Sequence, residues 1–278
     1  MHCIYHASYS TTVLRRDDDL WSQCVYLSTD VEAMGMLRVD VYSFHIKEAR
    51  WHVYRSPGKA LNGGGEVPGL IGSEAFMHIG PVLQQHFGEQ RGGMARELLA
   101  ECVRGLMQAE TFVYRERGYA SGKEFDDYWE GILKDSCRYY SNLDRVAQPW
   151  MDYIGEDVRD NSLYNRIKST NILRSSDNRL LINANFLDSF HELTVNISAN
   201  FDGLIKDCTG NFLRAPDKVC FENSELLGKL VGRNLTGLTK KDIAQDLGFS
   251  TGCTHLVDLV YDISQAVAAA DLDDEPVL

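Results

Sequence analysis

Histidine and cysteine are scarce in the carboxyl-terminal part of this 278-residue chain, and most of them sit where structural elements begin. Beyond residue 166 the only histidines are His191 and His255, and the only cysteines are Cys208, Cys220 and Cys253. His191 opens an alternating apolar stretch. Cys220 precedes a short helix expected from Ser224 to Val231. Cys253 and His255 stand in Gly252-Cys253-Thr254-His255-Leu256, at the start of the last helical pattern. Two thiolates and two imidazoles are an ordinary tetrahedral set for zinc, and such donors also hold iron or an iron–sulfur cluster. A Cys-x-His at a helix start has a physical logic. The first-turn amides are unpaired and partially positive, which favours thiolate, the metal-binding form. Asp258 and Asp262 follow His255 at i+3 and i+7 on roughly its face, so either can orient an imidazole or serve as a general base on a metal-bound water.

Elsewhere the plainer reading holds. Cys24, Cys102, Cys137 and Cys208 read as small core residues, and His45, His52, His78 and His86 as hydrogen-bonded polar residues. His2, Cys3 and His6 lie in a terminus expected to be loose. Gly63-Gly64-Gly65 lacks the Lys-Ser/Thr of a phosphate loop and reads as a flexible joint.

The elements that must position these residues come twice. Slid along itself without a gap, the sequence sets Ser10-Thr11-Thr12-Val13-Leu14-Arg15 on Ser169-Thr170-Asn171-Ile172-Leu173-Arg174. The same alignment sets Ile46-Lys47-Glu48 on Ile205-Lys206-Asp207, and Arg55-Ser56-Pro57 on Arg214-Ala215-Pro216. Each copy opens with a strand (Val13 to Arg15; Ile172 to Arg174) and a polar turn, at Asp17-Asp18-Asp19 or Ser176-Asp177-Asn178. Period-two alternation follows, through Leu193, Val195, Ile197, Ala199 and Phe201 in the second copy, as in a half-buried antiparallel sheet. The period then changes to 3.6. Ala95, Leu98, Leu99, Cys102, Val103 and Leu106 mark one helix, and Leu256, Leu259, Val260, Ile263 and Val267 mark its counterpart. Shorter helices are expected from Glu74 to Phe87 and from Lys240 to Leu247, the latter capped by Thr239. Phe125, Tyr128, Trp129, Ile132, Leu133 and Tyr140 trace an amphipathic helix between the copies. The expected fold is therefore α+β: a tandem duplication of a small antiparallel sheet covered by helices, divided into a degenerate first repeat (1–118), a helical connector (119–165), a second repeat bearing the site (166–272) and an acidic tail (273–278). In the same gapless alignment Glu32, Leu61, Met94 and Arg96 stand where the second copy has His191, Cys220, Cys253 and His255. Joint loss of all four in a copy that keeps the strand pattern suggests that they serve one site.

A formal net charge of −12 disfavours nucleic acid and anionic membranes, because phosphate binding relies on clustered Lys and Arg. No apolar run of about 18 residues indicates a spanning helix. Seven irregularly spaced cysteines and no basic-then-apolar start point to a reducing, cytoplasmic setting.

The segment from His191 through Gly252-Cys253-Thr254-His255-Leu256 resembles the bacterial domain-of-unknown-function family 2889. That family has an early Arg, a His leading a strand, a Cys ahead of a helix and a C-terminal Gly-Cys-Thr-His-Leu; it brings no assigned activity. More distantly, the order Cys220, Gly228-Lys229-Leu230-Val231-Gly232, then Cys253 and His255 is similar to iron–sulfur scaffold proteins of the NifU/IscU type. The resemblance implies a NifU/IscU-like fold and an iron–sulfur assembly partner. The scaffold's first cysteine is replaced here by His191, and Thr254 separates a pair that is adjacent in the scaffolds.

Three functions follow. The first is a metal-binding protein holding iron, zinc or an iron–sulfur cluster through His191, Cys220, Cys253 and His255. The second is a metal-dependent enzyme of lyase or hydrolase type acting on a small-molecule substrate, with Asp258 or Asp262 moving protons. The third is a metal-free interaction module. Metal identity, substrate and oligomeric state stay open at this level.

Overall fold

The structure, a computed structural model, describes residues 1–87, 92–155 and 159–270. The acidic tail expected at 273–278 lies outside them. By its contacts the chain divides into two compact units. One comprises Ser8–Phe125 with Ile154–Ile167. The other comprises Met1–Ala7, Asp126–Tyr153 and the chain from Lys168 onward. We call them the amino-terminal and carboxyl-terminal units.

Strands β1 (His2–Arg16), β2 (Asp19–Ser28), β3 (Glu32–Asp40), β4 (Ile46–Arg55) and β5 (Gly63–Glu66) come first, with β1 reaching back to His2 where a loose terminus is expected. They are neighbours in the order β5-β4-β3-β2-β1. Helices α1 (Gly80–Phe87) and α2 (Gly92–Ala109) follow. The apolar stripe of α2, including Leu98, Leu99, Cys102 and Leu106, is fully buried and packs on β2 and β3. Helix α1 is shorter than its periodicity suggests. It starts at Gly80-Pro81, where proline's fixed φ suits a first turn and its missing N–H costs nothing.

The glycine run 63–65 is not a joint. It forms β5, antiparallel to β4 with Gly64 opposite His52. A Cβ on Gly64 would stand 2.5 Å from the Trp51 carbonyl oxygen, so glycine here permits close approach of two backbones.

Helix α3 (Gly122–Ile132) carries Phe125 and Trp129 inward. It ends well short of Tyr140, and three residues beyond its end Asp135 takes a left-handed φ of 59°, which a continuing helix does not allow. Residues 133–149 are turns, followed by the short helix α4 (Trp150–Ile154).

The second set of strands, β6 (Ser162–Arg174), β7 (Arg179–Asp188), β8 (Glu192–Asn200) and β9 (Ile205–Arg214), runs in the order β6-β7-β8-β9. A 3-10 helix over Lys218–Leu230, α5 (Lys240–Leu247) and α6 (Thr254–Ala269) complete the carboxyl-terminal unit. Thr239 caps α5 as expected, in a reciprocal capping box with Asp242. Cys220 lies inside the 3-10 helix rather than ahead of a helix. Asp217 starts that helix early by accepting from the Val219 N–H at 3.0 Å.

The two strand sets have matching geometry. Asp19 opposes Asp40 in β2–β3 as Arg179 opposes Asn200 in β7–β8, which makes Asp19 the counterpart of Arg179. Glu32 opposes Arg55 as Glu192 opposes Arg214, so Glu32 corresponds to Glu192 while Arg55 corresponds to Arg214. The gapless alignment, which sets Arg55 on Arg214 but Glu32 on His191, is thus one position out of step in the middle strands. Period two makes that slip exchange the faces. The buried counterparts of Leu193, Ile197 and Ala199 are Ala33, Leu37 and Val39. His191 therefore corresponds to Val31, not Glu32. Among the described residues no helix is long and apolar enough to cross a membrane.

Candidate metal centre

The turn between β7 and β8 carries the first half of the site. Asp188 accepts through Oδ1 from the backbone N–H of Phe190 at 2.8 Å and of His191 at 2.6 Å, an Asx turn that closes the hairpin. The same oxygen lies 3.1 Å from His191 Nδ1. With Asp188 ionised the carboxylate can only accept, which puts the proton on Nδ1 and leaves the Nε2 lone pair for a ligand. Arg214 fastens the turn from β9, donating to the Asp188 and Ser189 carbonyls at 2.6 and 2.7 Å. Trp150 lies nearly parallel to the imidazole at 6.4 Å between ring centroids.

The amino-terminal unit contains the same turn without these side chains. Ser28 Oγ accepts from Val31 N at 2.9 Å, and Arg55 donates to the Ser28 and Thr29 carbonyls at 3.1 and 2.8 Å. A serine and a valine satisfy this turn. The carboxylate and imidazole of Asp188 and His191 therefore exceed what the backbone requires.

The second half comes from the start of α6. Gly252 lets the chain tuck under the end of α5. A Cβ there would stand 2.0 Å from the Leu247 carbonyl oxygen, the atom that accepts from Cys253 N at 2.7 Å. This close passage fixes Cys253 as the N-cap of α6 and points His255 back towards β7. The His255 ring centroid lies 4.1 Å from that of His191 and 4.9 Å from Phe186. Donor atoms of Asp188, His191 and His255 all fall within 4.8 Å of one another. Cys253 Sγ lies 3.8 Å from His255 Nδ1. Tetrahedral donors at roughly 2.0–2.3 Å from an ion stand about 3.3–3.8 Å apart, so the Asp188–His191–His255 donors, spread over as much as 4.8 Å, stand wider than one ion holds them.

Of the four residues expected as ligands, the structure gathers His191 and His255; Cys253 adjoins His255 but stands outside the Asp188–His191–His255 group. Cys220 is outside that group too and packs with Val219 and Tyr139. Neither Asp258 nor Asp262 belongs to that group. Asp258 pairs with Lys240 at 2.5 Å and Asp262 with the buried Lys168 at 2.7 Å, while Asp188 holds the orienting position on His191. Asp188 is missed by sequence reasoning, although an Asp three positions before a strand-leading His is the signal of an Asx turn.

The helix-start amides act on Cys253 in the expected sense but do not prevail. Burial pushes its thiol up, and the backbone amides of Leu256 and His255 only partly offset this. Burial likewise pushes Cys220 up to about 12. Both cysteines are protonated at neutral pH, so an ion bound there must displace protons.

Residues 173–269 match the family model described as "Protein of unknown function (DUF2889)", which spans β7 to the end of α6 and so contains the whole site. No curated protein matches the chain.

Proposed function

We propose that the carboxyl-terminal unit binds a transition-metal ion through His191, His255 and Cys253, with Asp188 orienting His191. One observation carries this: two imidazoles from distant parts of the chain meet ring to ring beside a buried carboxylate, in a turn whose counterpart needs neither. Packing alone gives no reason to set two titratable rings against each other. A metal bridging them does, and a carboxylate–histidine–metal relay is the usual outer support. The nitrogen donors favour a single zinc or iron ion over an iron–sulfur cluster, whose ligands are chiefly thiolates. In the same reading the two strand sets derive from one ancestral unit, of which one lost or never gained the donors.

The test is elemental analysis of the purified chain, followed by zinc titration of the chelated protein. Wild type is expected to bind one equivalent. Zinc at 100 times its Kd adds about 2.7 kcal/mol of stability. His191→Gln and His255→Gln should each abolish that gain. A chelated protein whose melting is indifferent to zinc and to iron overturns the proposal.

A further inference from the structure

The segment from Arg138 to Tyr153 grips both halves of the centre. On the α6 side the grip is Arg138, in the turns of residues 133–149. Its backbone N–H donates to the Gly252 carbonyl at 2.7 Å and its Nη2 to the Thr251 carbonyl at 2.7 Å, just ahead of Cys253. The guanidinium is anchored in turn. Its Nε donates to Asn223 Oδ1 at 3.0 Å and its Nη1 to Glu222 at 2.7 Å, while the buried Asn223 donates to the Cys220 carbonyl at 2.8 Å. A planar fork of donors is what lets one side chain serve three such acceptors at once. On the β7–β8 side the grip is Tyr153 of α4, whose hydroxyl donates to the Phe190 carbonyl at 2.7 Å, one residue before His191. Trp150, at the start of α4, sets its ring 4.8 Å from that of Phe190. Between the two grips the segment is itself held. Asn142 Nδ2 donates to the Arg138 carbonyl at 2.7 Å, and Ala147 N to Asp217 Oδ2 at 2.7 Å.

These ties bear on the chemistry because the donors of Asp188, His191 and His255, spread over as much as 4.8 Å, stand wider than one ion holds them. Binding an ion therefore draws the start of α6 and the β7–β8 turn together. We propose that residues 138–153 are a clasp that sets the distance between these two halves, with Arg138 and Tyr153 as positioning residues for the ion's coordination geometry. Neither is a ligand. Both ties end on a main-chain carbonyl next to a donor residue, Gly252 beside Cys253 and Phe190 beside His191. A shift at either tie thus reaches the donor through one rigid peptide unit. The clasp rests on the metal site proposed above and adds to it what holds the ligands in place.

Titration of the chelated full chain with cobalt(II) tests it, because the visible ligand-field bands of cobalt report coordination geometry separately from affinity. Wild type should show the intense bands of a tetrahedral site, and His191→Gln should lose them. Arg138→Gln keeps the backbone N–H and loses the fork. It should shift and weaken the bands and lower cobalt affinity about 10-fold, the low end of what lost outer support costs. Tyr153→Phe deletes one hydroxyl, keeps the ring and should alter the bands in the same way, so it decides the matter if Arg138→Gln does not fold. Arg145→Gln is the control. The half-exposed Arg145 also pairs with Glu222, but its other partner is Asn142 rather than the start of α6, and its loss should leave the bands as in wild type. Wild-type bands and affinity in both Arg138→Gln and Tyr153→Phe overturn the clasp and leave the metal site standing, even if both variants melt lower, since purely structural ties would do that. A wild type that takes up no cobalt, or bands untouched by His191→Gln, overturns the metal site itself.

Discussion

Asp188 does two jobs with one oxygen, and a substitution can separate them. Closing the β7–β8 turn needs only a short side chain that accepts from the backbone, as Ser28 shows in the equivalent turn. Holding His191 with its Nδ1 protonated needs an acceptor that never donates. Asp188→Ser should therefore leave the melting temperature of the metal-free protein nearly unchanged, while zinc affinity falls about 10- to 100-fold, the usual cost of losing an outer carboxylate. Thermal melts in chelator and a competitive zinc titration measure the two effects. Equal loss in both would make Asp188 a purely structural residue. The role of this residue is hidden in the sequence by a single step of register. In the register that the strands adopt, Asp188-Ser189-Phe190-His191 falls on Ser28-Thr29-Asp30-Val31, whereas the gapless alignment pairs His191 with a glutamate on the other face.

At the scale of elements, what is legible depends on whether a feature is local. The alternating strands, the long stripes of α2 and α6 and the Thr239 cap are written in spacing and residue type, and they fold as read. Features that depend on what lies opposite are not legible. Gly63-Gly64-Gly65 has the composition of a linker, and only its pairing with β4 reveals a strand. The loop bearing Cys137 keeps helical periodicity past Ile132, yet Arg138 is engaged by Glu222, Asn223 and Gly252, distant partners that a sequence window does not see. Gly252 is a case where local and distant demands meet. Gly252→Ala should cost about 1–3 kcal/mol, as overpacking does, because the new Cβ meets backbone that cannot turn aside. It should also weaken zinc binding by displacing Cys253. Gly228→Ala has open space around its Cβ and should be neutral or slightly stabilising. Chemical denaturation of the two variants side by side checks the contrast. Equal stabilities would mean that the passage under α5 is not tight.

For the whole molecule, stability is expected to depend on pH through acids held in opposite senses. Asp126 is buried, and this together with the nearby Glu130, Asp152 and Asp127 raises its pKa from 3.8 to about 6. Its Oδ2 accepts from Met151 N at 3.3 Å, while its Oδ1 is buried without a hydrogen-bond partner among the described residues. The folded state therefore binds this proton more tightly than the unfolded chain does. Stability falls as pH rises from 3.8 to about 6 and stays reduced above that. Asp40 works the other way. Lys47 and Ser43 hold its pKa down at about 2, so its contribution is present above 3.8 and is lost as pH falls towards 2. Asp40 is partly exposed to solvent, which makes its share small. The net charge of −12 adds self-repulsion that grows with pH and is screened by salt. The melting temperature of the metal-free protein should then peak between about pH 4 and 6 and decline towards pH 8. Asp126→Asn removes the charge while keeping the shape. It should melt higher than wild type at pH 7.5, by a margin that vanishes near pH 4, whereas added salt should help both proteins alike. A variant that melts no higher at pH 7.5 would show that Asp126 stays ionised at little cost, with its free oxygen reaching water.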